Sequence, residues 1–343
     1  MSDARPLVRA LTDPASTGDL DPAGWTALIA MARAEQLMGT LAHRLDGLDV
    51  PDAVARICAD ARLSIDHGRR QALWEAEMAR RVLAPLGEPV VLLKGTAYVA
   101  AGLSAGVGRS IGDLDILVRR EALDAVERAL IAQGGWEWVK EDEYDDAYYR
   151  DHMHELPPLI HKDRDRMIDV HHTVLPLTAK PMPDAAAMIE ESEALDDGLR
   201  ILSPPDMICH AAAHLFADGD LAGGLRNLWD IDRLLRDFDE RDGFWAALGE
   251  RADRHQLAKP VACALRLAET LYETPVDGDV AGKSRAGDAL YVRRLLARDD
   301  WGGETRKGLR LAFYIRSHWL RMPPLMLARH LWTKWRGKAH HDS

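Results

Sequence analysis

Two aspartates separated by one residue stand in the most informative segment of the sequence, residues 108–118. On an extended strand, side chains two residues apart point to the same face, so we expect Asp113 and Asp115 to project together while Leu114 enters the core. Paired carboxylates suit a hard cation such as Mg²⁺ or Mn²⁺, whose remaining positions are filled by water and nucleotide phosphates. The spacing therefore predicts a divalent-metal site at Asp113 and Asp115.

A third acidic residue occurs in a later strand pattern. Asp169 alternates with the apolar Ile168 and Val170, which places it on one polar face together with His171. A third carboxylate beside the first two would allow two ions to clamp the attacking and leaving oxygens of a phosphoryl displacement, so we predict that Asp169 completes the metal site. For His171 three roles stay open: orienting Asp169, assisting proton transfer, or an ordinary hydrogen-bonded histidine.

The residues expected to hold a triphosphate precede the aspartate pair. Lys94, Gly95 and Thr96 join a predicted strand to a predicted helix, where a glycine lets backbone N–H groups approach a phosphate at the positive end of the helix. Thr96 adds a hydroxyl donor, and Lys94 either neutralises phosphate charge or pairs with an aspartate. Arg109 and Ser110, in the loop that leads into the aspartate strand, are further expected phosphate contacts, since arginine suits bidentate recognition.

These blocks resemble the nucleotidyltransferase superfamily, whose pattern is a Gly followed by Ser, Thr or Gly after the first strand, a hydrophobic-flanked DxD, and a third acid on a later strand. More narrowly, residues 92–97, 109–118 and 168–171 look like the uncharacterised bacterial nucleotidyltransferase group called NTP_transf_5, by layout over roughly residues 25–335. The resemblance implies a mixed-sheet transferase core that moves a nucleoside monophosphate from an NTP, ATP being the expected substrate, onto an acceptor.

The acceptor is not identified by the residues: a small molecule, a peptide or protein, and RNA all remain open. Seventeen residues separate Gly95 from Asp113, a longer gap than the superfamily usually has. Two other classes of function compete with Mg²⁺-dependent transfer. One is a non-catalytic binding module with the same fold, and the other is a toxin or antitoxin of the nucleotidyltransferase type that acts on tRNA.

The hydrophobic pattern places these residues in an α/β (α+β) fold. Asp21 and Pro22 begin a helix, and helical spacing returns from Pro204 onward. Between the helical stretches, short apolar or alternating runs predict strands at residues 90–93, 113–118, 136–139, 159–161 and 167–173. With the resemblance, this predicts a mixed β-sheet core with helical flanks: an N-terminal helical region packed on the core, the core itself, and a C-terminal helical region, at residues 1–87, 88–203 and 204–343.

Bulk composition is that of a folded globular protein. Hydrophobic residues make up 47% and charged residues 29% of the 343, which excludes a disordered chain. The charged first residues predict no secretory signal, and Lys94 within the apolar window 89–108 argues against a membrane span, so we expect a cytoplasmic protein. Three cysteines without a CxxC pair predict buried free thiols rather than disulfides or a zinc-thiolate site.

The net charge of -11 argues against loose binding of nucleic acid along the whole surface. Residues 305–343 differ from the rest, with nine Lys or Arg against one acid, a local charge of +8. Trp319, Trp332 and Trp335 are interleaved with these basic residues. Such a tail either docks an acidic partner, RNA or an anionic membrane, or packs on the body of the protein through its tryptophans.

Two further groups of polar residues lie in the C-terminal helical pattern. His210 and His214 are four residues apart and so share a helix face, an arrangement that favours a packed pair over zinc ligands because the Glu of HExxH is missing. Arg226, Asp230 and Asp232 either line an acceptor cleft or form ion pairs between helices. The interhelical ion pairs are the favoured interpretation.

Overall fold

The computed structural model describes residues 3–140, 149–196, 198–217 and 220–321. It has a mixed α/β fold in which helices flank one seven-stranded sheet. The N-terminal helices are α1 (Arg5–Thr12), α2 (Pro22–Ala34), α3 (Met38–Arg44) and α4 (Asp52–Leu83). The remaining helices are α5 (Lys94–Ala100), α6 (Leu123–Ala132), α7 (Ala185–Glu190), α8 (Pro204–Ala217), α9 (Gly224–Phe238), α10 (Phe244–Arg254), α11 (Ala258–Tyr272), α12 (Gly278–Ala281), α13 (Asp288–Leu295) and α14 (Lys307–Arg321).

The ends of the first long helices follow the expected local chemistry. The side chain of Asp21 accepts a hydrogen bond from the backbone N–H of Gly24, with Pro22 in the first turn of α2. Helix α4 gives way to a short 3₁₀ turn that ends at Gly87, whose φ of 70° is in the left-handed region. The helix start predicted at Asp21 and Pro22 is confirmed.

The strands are β1 (Val91–Leu92), β2 (Leu114–Leu117), β3 (Trp136–Trp138), β4 (Leu159–His161), β5 (Met167–His171), β6 (Glu193–Ala194) and β7 (Arg200–Ile201). They pair in the order β3-β4-β5-β2-β1-β7-β6, so β2 is at the centre of the sheet. Strand β2 runs parallel to β5 and antiparallel to β1, and β1 runs parallel to β7. The mixed sheet inferred from the resemblance is confirmed.

The parallel pairing of β2 and β5 sets the register of the acidic residues. Parallel neighbours need a long crossover, and here the crossover contains α6, β3 and β4. All four residues of β2 are buried, as a central strand covered on both faces requires. In this register Asp115 is the direct partner of Asp169, and Leu117 is the partner of His171.

Buried side chains from α1 through the sheet to α14 form one continuous hydrophobic core. Strands β1 and β2 are shorter than the predicted runs 90–93 and 113–118. Strands β6 and β7 were not predicted, because two residues each are too few to show a strand period. No helix among the described residues is both long and apolar enough to cross a membrane.

Helix α14 contains the first part of the basic stretch 305–343. It packs on the body of the protein through the buried Phe313 and Ser317, whereas Trp319 is half exposed. The expectation that this stretch packs through its tryptophans is therefore wrong at Trp319, because that ring lies on the outer face of the helix. Trp332 and Trp335 lie outside the described residues, and so does most of the predicted partner-binding tail.

Candidate functional site

The acidic centre lies where β2 and β5 run side by side. Asp115 is buried within β2 and Asp169 is half-buried opposite it on β5, while Asp113 is exposed at the bend just before β2. Strands are about 4.8 Å apart in a sheet, so the two paired aspartates are near neighbours. The structure therefore brings Asp115 and Asp169 together, with Asp113 exposed in the bend just before β2.

Lys94 and His171 both contact the carboxylate of Asp115. Lys94 Nζ donates to Asp115 Oδ1 over 2.6 Å, and His171 Nε2 lies 3.0 Å from the same oxygen. Burial alone would raise the pKa of Asp115, but the charge of Lys94 and the hydrogen bond from His171 hold it well below its ordinary value. Of the two roles open to Lys94, the pairing with an aspartate is therefore the one observed.

The backbone of Lys94 adopts an unusual conformation. Its φ of 49° is in the left-handed region, which non-glycine residues adopt at a cost of about 1–2 kcal/mol. Burial acts to lower the pKa of Lys94, yet the ion pair with Asp115 raises it above its ordinary value. The strain and the buried ion pair together fix the ammonium group at the acidic centre.

Asp169 has the opposite electrostatic environment. Burial and then the charges of Asp115 and Glu155 raise its pKa from 3.8 to about 7, and Asp113 adds to the same effect. A carboxyl group surrounded by other carboxylates keeps its proton to higher pH because ionisation would add a further negative charge. This concentration of negative charge is what a bound cation would relieve.

His154 and Glu155 also reach the acidic centre, and the sequence pattern did not single them out. Glu155 pairs with His171 through an isolated antiparallel bridge, and the N–H of His172 donates to the carbonyl of His154 over 2.9 Å. The signal available in the sequence was the adjacent His and Glu in a polar loop. Only the tertiary structure shows that this loop pairs with the end of β5 and so lies beside the aspartates. The role of orienting Asp169 considered for His171 is corrected, because His171 contacts Asp115 instead.

The residues expected to contact phosphate differ in their exposure to solvent. Thr96 is buried, with 1% of its surface exposed, and Arg109 is buried in an ion pair with Asp230, with 2.9 Å between Nε and Oδ2. A Cβ added at Gly95 would lie 2.0 Å from Arg109 Nη1. Gly95 therefore makes room for this guanidinium, and neither Thr96 nor Arg109 presents its polar group at the surface. Ser110 is exposed beside them.

Helix α8 lies on the other side of Lys94. His210 and His214 are stacked with ring centroids 6.5 Å apart, and they line a small pocket together with Lys94 and Arg109. Burial, followed by the charge of Lys94, lowers the pKa of His214 to about 3. Both rings are neutral packed histidines, as the sequence favoured.

The acidic groups of α9 form ion pairs. Asp230 pairs with Arg109, and Asp232 pairs with Arg233 and Arg236. The interhelical ion pair predicted for Asp230 is replaced by one to the loop before β2, whereas Asp232 pairs within its own helix. These residues therefore brace the fold behind the site.

A separate cavity of about 740 Å³ lies between α8, α11, α13 and α14. Ala213 and Phe216 line it from α8, and Arg316 lines it from α14. Its lining shares no residue with the acidic centre, because α8 separates the two, with His210 and His214 on the side of Lys94.

The fold and this centre define a mixed α/β protein whose aspartates lie on paired central strands. The chain belongs to the family described as uncharacterised nucleotidyltransferases, whose family model matches residues 21–273. No curated protein matches the chain. The resemblance inferred from the sequence is confirmed, and the family carries a general nucleotidyltransferase role with an NTP as substrate.

Proposed function

We propose that this protein is an Mg²⁺-dependent nucleotidyltransferase that transfers a nucleoside monophosphate from an NTP, with ATP as the expected donor. The observation that carries the proposal is the direct pairing of Asp115 and Asp169 on β2 and β5, together with the pKa of about 7 at Asp169. Carboxylates held this close in a partly buried place suit a divalent cation.

Asp113, Asp115 and Asp169 would hold the metal ion or ions. The described contacts of Asp115 fall on Oδ1, which leaves Oδ2 to face a cation. When bound, the metal neutralises phosphate charge and orients the α-phosphate for in-line attack. Asp113, exposed at the bend, is the carboxylate that meets the incoming nucleotide.

The reaction joins an acceptor nucleophile to the α-phosphorus of the NTP and breaks the bond to the leaving pyrophosphate. The acceptor loses one proton as the new bond forms. Asp169 is the group we expect to help remove that proton, because it is the direct partner of Asp115 on β5 and is a deprotonated carboxylate when the cation is bound. Lys94 holds Asp115 ionised and in place.

Only some of the residues predicted to contact phosphate keep that role in the proposal. Lys94 supplies positive charge beside the aspartates, and Ser110 is exposed where the loop enters β2. Arg109 and Gly95 pack against each other beneath this surface. We therefore assign Arg109, Gly95 and Thr96 to support of the turn and not to direct contact with the triphosphate.

Calorimetric titration of ATP, CTP, GTP and UTP in the presence of Mg²⁺ tests the proposal. We expect binding of at least one nucleotide by the wild-type protein, and its loss in Asp115→Asn and Asp169→Asn. Asp60→Asn is the matched control, because Asp60 is an exposed carboxylate on α4 far along the chain from the site. A folded wild-type protein that binds none of the four nucleotides would contradict the assignment.

Mass spectrometry identifies the acceptor class. Cell extract incubated with labelled NTP and purified protein should gain a product whose mass has increased by one nucleoside monophosphate. A labelled small molecule, protein or tRNA would each identify a different acceptor. Absence of any product, despite Mg²⁺-dependent nucleotide binding, would favour a non-catalytic binding module.

A further inference from the structure

Three side chains beside the aspartates form a group that the proposed transfer reaction does not use. We call His154, Glu155 and His171 the His–Glu cluster. Glu155 Oε2 lies 3.5 Å from His171 Nδ1 and 3.6 Å from His154 Nε2. One ligand atom from each residue can be chosen so that all three lie within 4.8 Å of one another.

The hydrogen bond between His171 and Asp115 shows which ring nitrogen of His171 carries a hydrogen. An ionised carboxylate only accepts hydrogen bonds, so His171 Nε2, at 3.0 Å from Asp115 Oδ1, carries the hydrogen. In the neutral ring Nδ1 then has a lone pair. This nitrogen is buried on a side chain that is 3% exposed, and it has no hydrogen-bond partner among the described residues.

In that state His171 Nδ1 faces Oε2 of Glu155 at 3.5 Å, and the two atoms form no hydrogen bond. Two electron-rich atoms 3.5 Å apart in a buried place repel each other unless a positive charge lies between them. A metal ion bound to both atoms provides that charge. Without a metal, a proton must lie between these two atoms, carried either by His171 as an imidazolium or by Glu155 as a carboxylic acid.

The spacing within the cluster matches a metal site. Nitrogen and oxygen ligands bind Zn²⁺ at about 2.0–2.2 Å, which in a tetrahedron separates neighbouring ligands by roughly 3.4 Å. The observed separations of 3.5 Å and 3.6 Å are close to that value. Asp115 occupies the place of the carboxylate that usually accepts from the other ring nitrogen of a metal-bound histidine.

The backbone holds the cluster in place. The N–H of Leu156 donates to the carbonyl of Val170 over 2.9 Å, and Glu155 is bridged to His171. Residues 154–156 thus run antiparallel to the end of β5, which fixes the distance between ligands from two parts of the chain. A site of this kind is organised before a metal arrives.

We propose that His154, Glu155 and His171 bind a divalent transition-metal ion, with Zn²⁺ as the best fit, next to the aspartates that hold Mg²⁺. Two imidazole nitrogens and one carboxylate oxygen suit Zn²⁺ and not Mg²⁺, which prefers oxygen ligands. His171 belongs to the cluster and also contacts Asp115, so a metal ion bound to the cluster would hold Asp115 in position. The proposal goes beyond nucleotide transfer and does not depend on it.

Metal titration of the full chain tests the cluster directly. Purified protein stripped with a chelator and reloaded with Zn²⁺ should retain one ion per chain by elemental mass spectrometry. The variants His154→Gln and Glu155→Gln should bind Zn²⁺ more weakly by at least a factor of about 10–100. His67→Gln, an exposed histidine on α4, should bind like the wild type. Variants that retain Zn²⁺ with wild-type affinity would overturn the assignment.

A second measurement needs no variant. Nitrogen NMR of the wild-type histidine side chains, without metal and with Zn²⁺, reports the state of His171 Nδ1. We expect a lone-pair nitrogen whose signal shifts on addition of one equivalent of Zn²⁺. If both nitrogens of His171 are protonated and their signals do not change when Zn²⁺ is added, the ring is an imidazolium and the metal site is disproved.

The metal proposal and the transferase proposal fail separately. Asp113→Asn should abolish Mg²⁺-dependent nucleotide binding and leave Zn²⁺ retention intact, because Asp113 is not part of the cluster. A protein that binds no NTP yet retains Zn²⁺ through His154 and Glu155 would refute only the transferase. One that binds NTP without retaining Zn²⁺ would refute only the cluster.

Discussion

Asp115 and Asp169 are direct partners across the parallel strands β2 and β5. The two carboxyl groups nevertheless differ, because Lys94 and His171 lower the pKa of Asp115 while burial and neighbouring carboxylates raise the pKa of Asp169 to about 7. One member of the pair is therefore ionised throughout the physiological range. The other, Asp169, changes its charge within that range. The affinity of this pair for a cation should therefore depend on pH.

The first prediction concerns pH and the stability of the metal-free protein. The folded pKa of Asp169 is about 7, raised from 3.8, so between these values the folded state binds more protons than the unfolded state. The contribution of Asp169 to the free energy of unfolding is therefore present below about pH 4 and falls as pH rises through about 7. Thermal unfolding at a series of pH values should show a smaller decline for Asp169→Asn than for the wild type.

Addition of Mg²⁺ should reverse this trend. A cation binds the deprotonated form of Asp169, so Mg²⁺ should stabilise the wild-type protein more above pH 7 than below pH 6, by the linkage between metal and proton binding. The increase in melting temperature with Mg²⁺, measured at each pH, checks this. A shift with Mg²⁺ that is equal at both pH values would argue against Asp169 as a ligand.

Loss of a single aspartate should abolish most of the activity. Substitutions of residues that merely support a metal ligand typically cost 10–100-fold, so Asp113→Asn and Asp115→Asn should each reduce the transfer rate by a factor of about 100 or more. Product formation with labelled NTP measures this. Asp60→Asn is the control, and full activity of Asp113→Asn would exclude that carboxylate from the metal site.

Lys94 should be required for stability as well as for function. Lys94→Met removes the partner of a buried carboxylate, and such a loss costs on the order of 3 kcal/mol. Chemical unfolding should show the decrease. The double variant Lys94→Met with Asp115→Asn should recover part of it, because the uncompensated charge is gone. A Lys94→Met protein as stable as the wild type would show that His171 alone compensates Asp115.

Gly95 should tolerate no side chain. A Cβ at this position would lie 2.0 Å from Arg109 Nη1, and the arginine is held by Asp230. We expect Gly95→Ala to destabilise the protein by about 1–3 kcal/mol, as overpacking does. Gly68→Ala on α4 is the matched control: nothing lies within 4 Å of the added atom, and a gain of about 0.5–1 kcal/mol is expected in a helix. Equal effects at both positions would contradict the close packing.

The elements with strong local signals were predictable from the sequence. The helix start at Asp21 and the strands β4 and β5 follow from patterns within a few residues. The two-residue strands β6 and β7 were missed, because they form only by pairing within the sheet: β7 pairs with β1, and β6 pairs with β7. A strand that short has no period of its own.

The sequence likewise predicted some residues of the candidate site and missed others. Alternation along the predicted strands 113–118 and 167–173 identified Asp113, Asp115 and Asp169 as polar positions, since strand periodicity decides which face a side chain occupies. It did not indicate that Arg109 and Thr96 face the interior, because their surroundings come from α9 and the loop before β2. His154 and Glu155 were missed for a related reason: no pattern shows where a polar loop will pack.

The sequence by itself determined the types and spacing of the acidic residues, the α/β class and the membership of a nucleotidyltransferase family. The tertiary structure alone decided the register that pairs Asp115 with Asp169, the ion pair of Lys94 and the position of Glu155 beside His171. The physical reason is distance along the chain. Local sequence fixes backbone conformation and the face of each side chain, whereas charges from remote segments acquire partners only when the whole core packs.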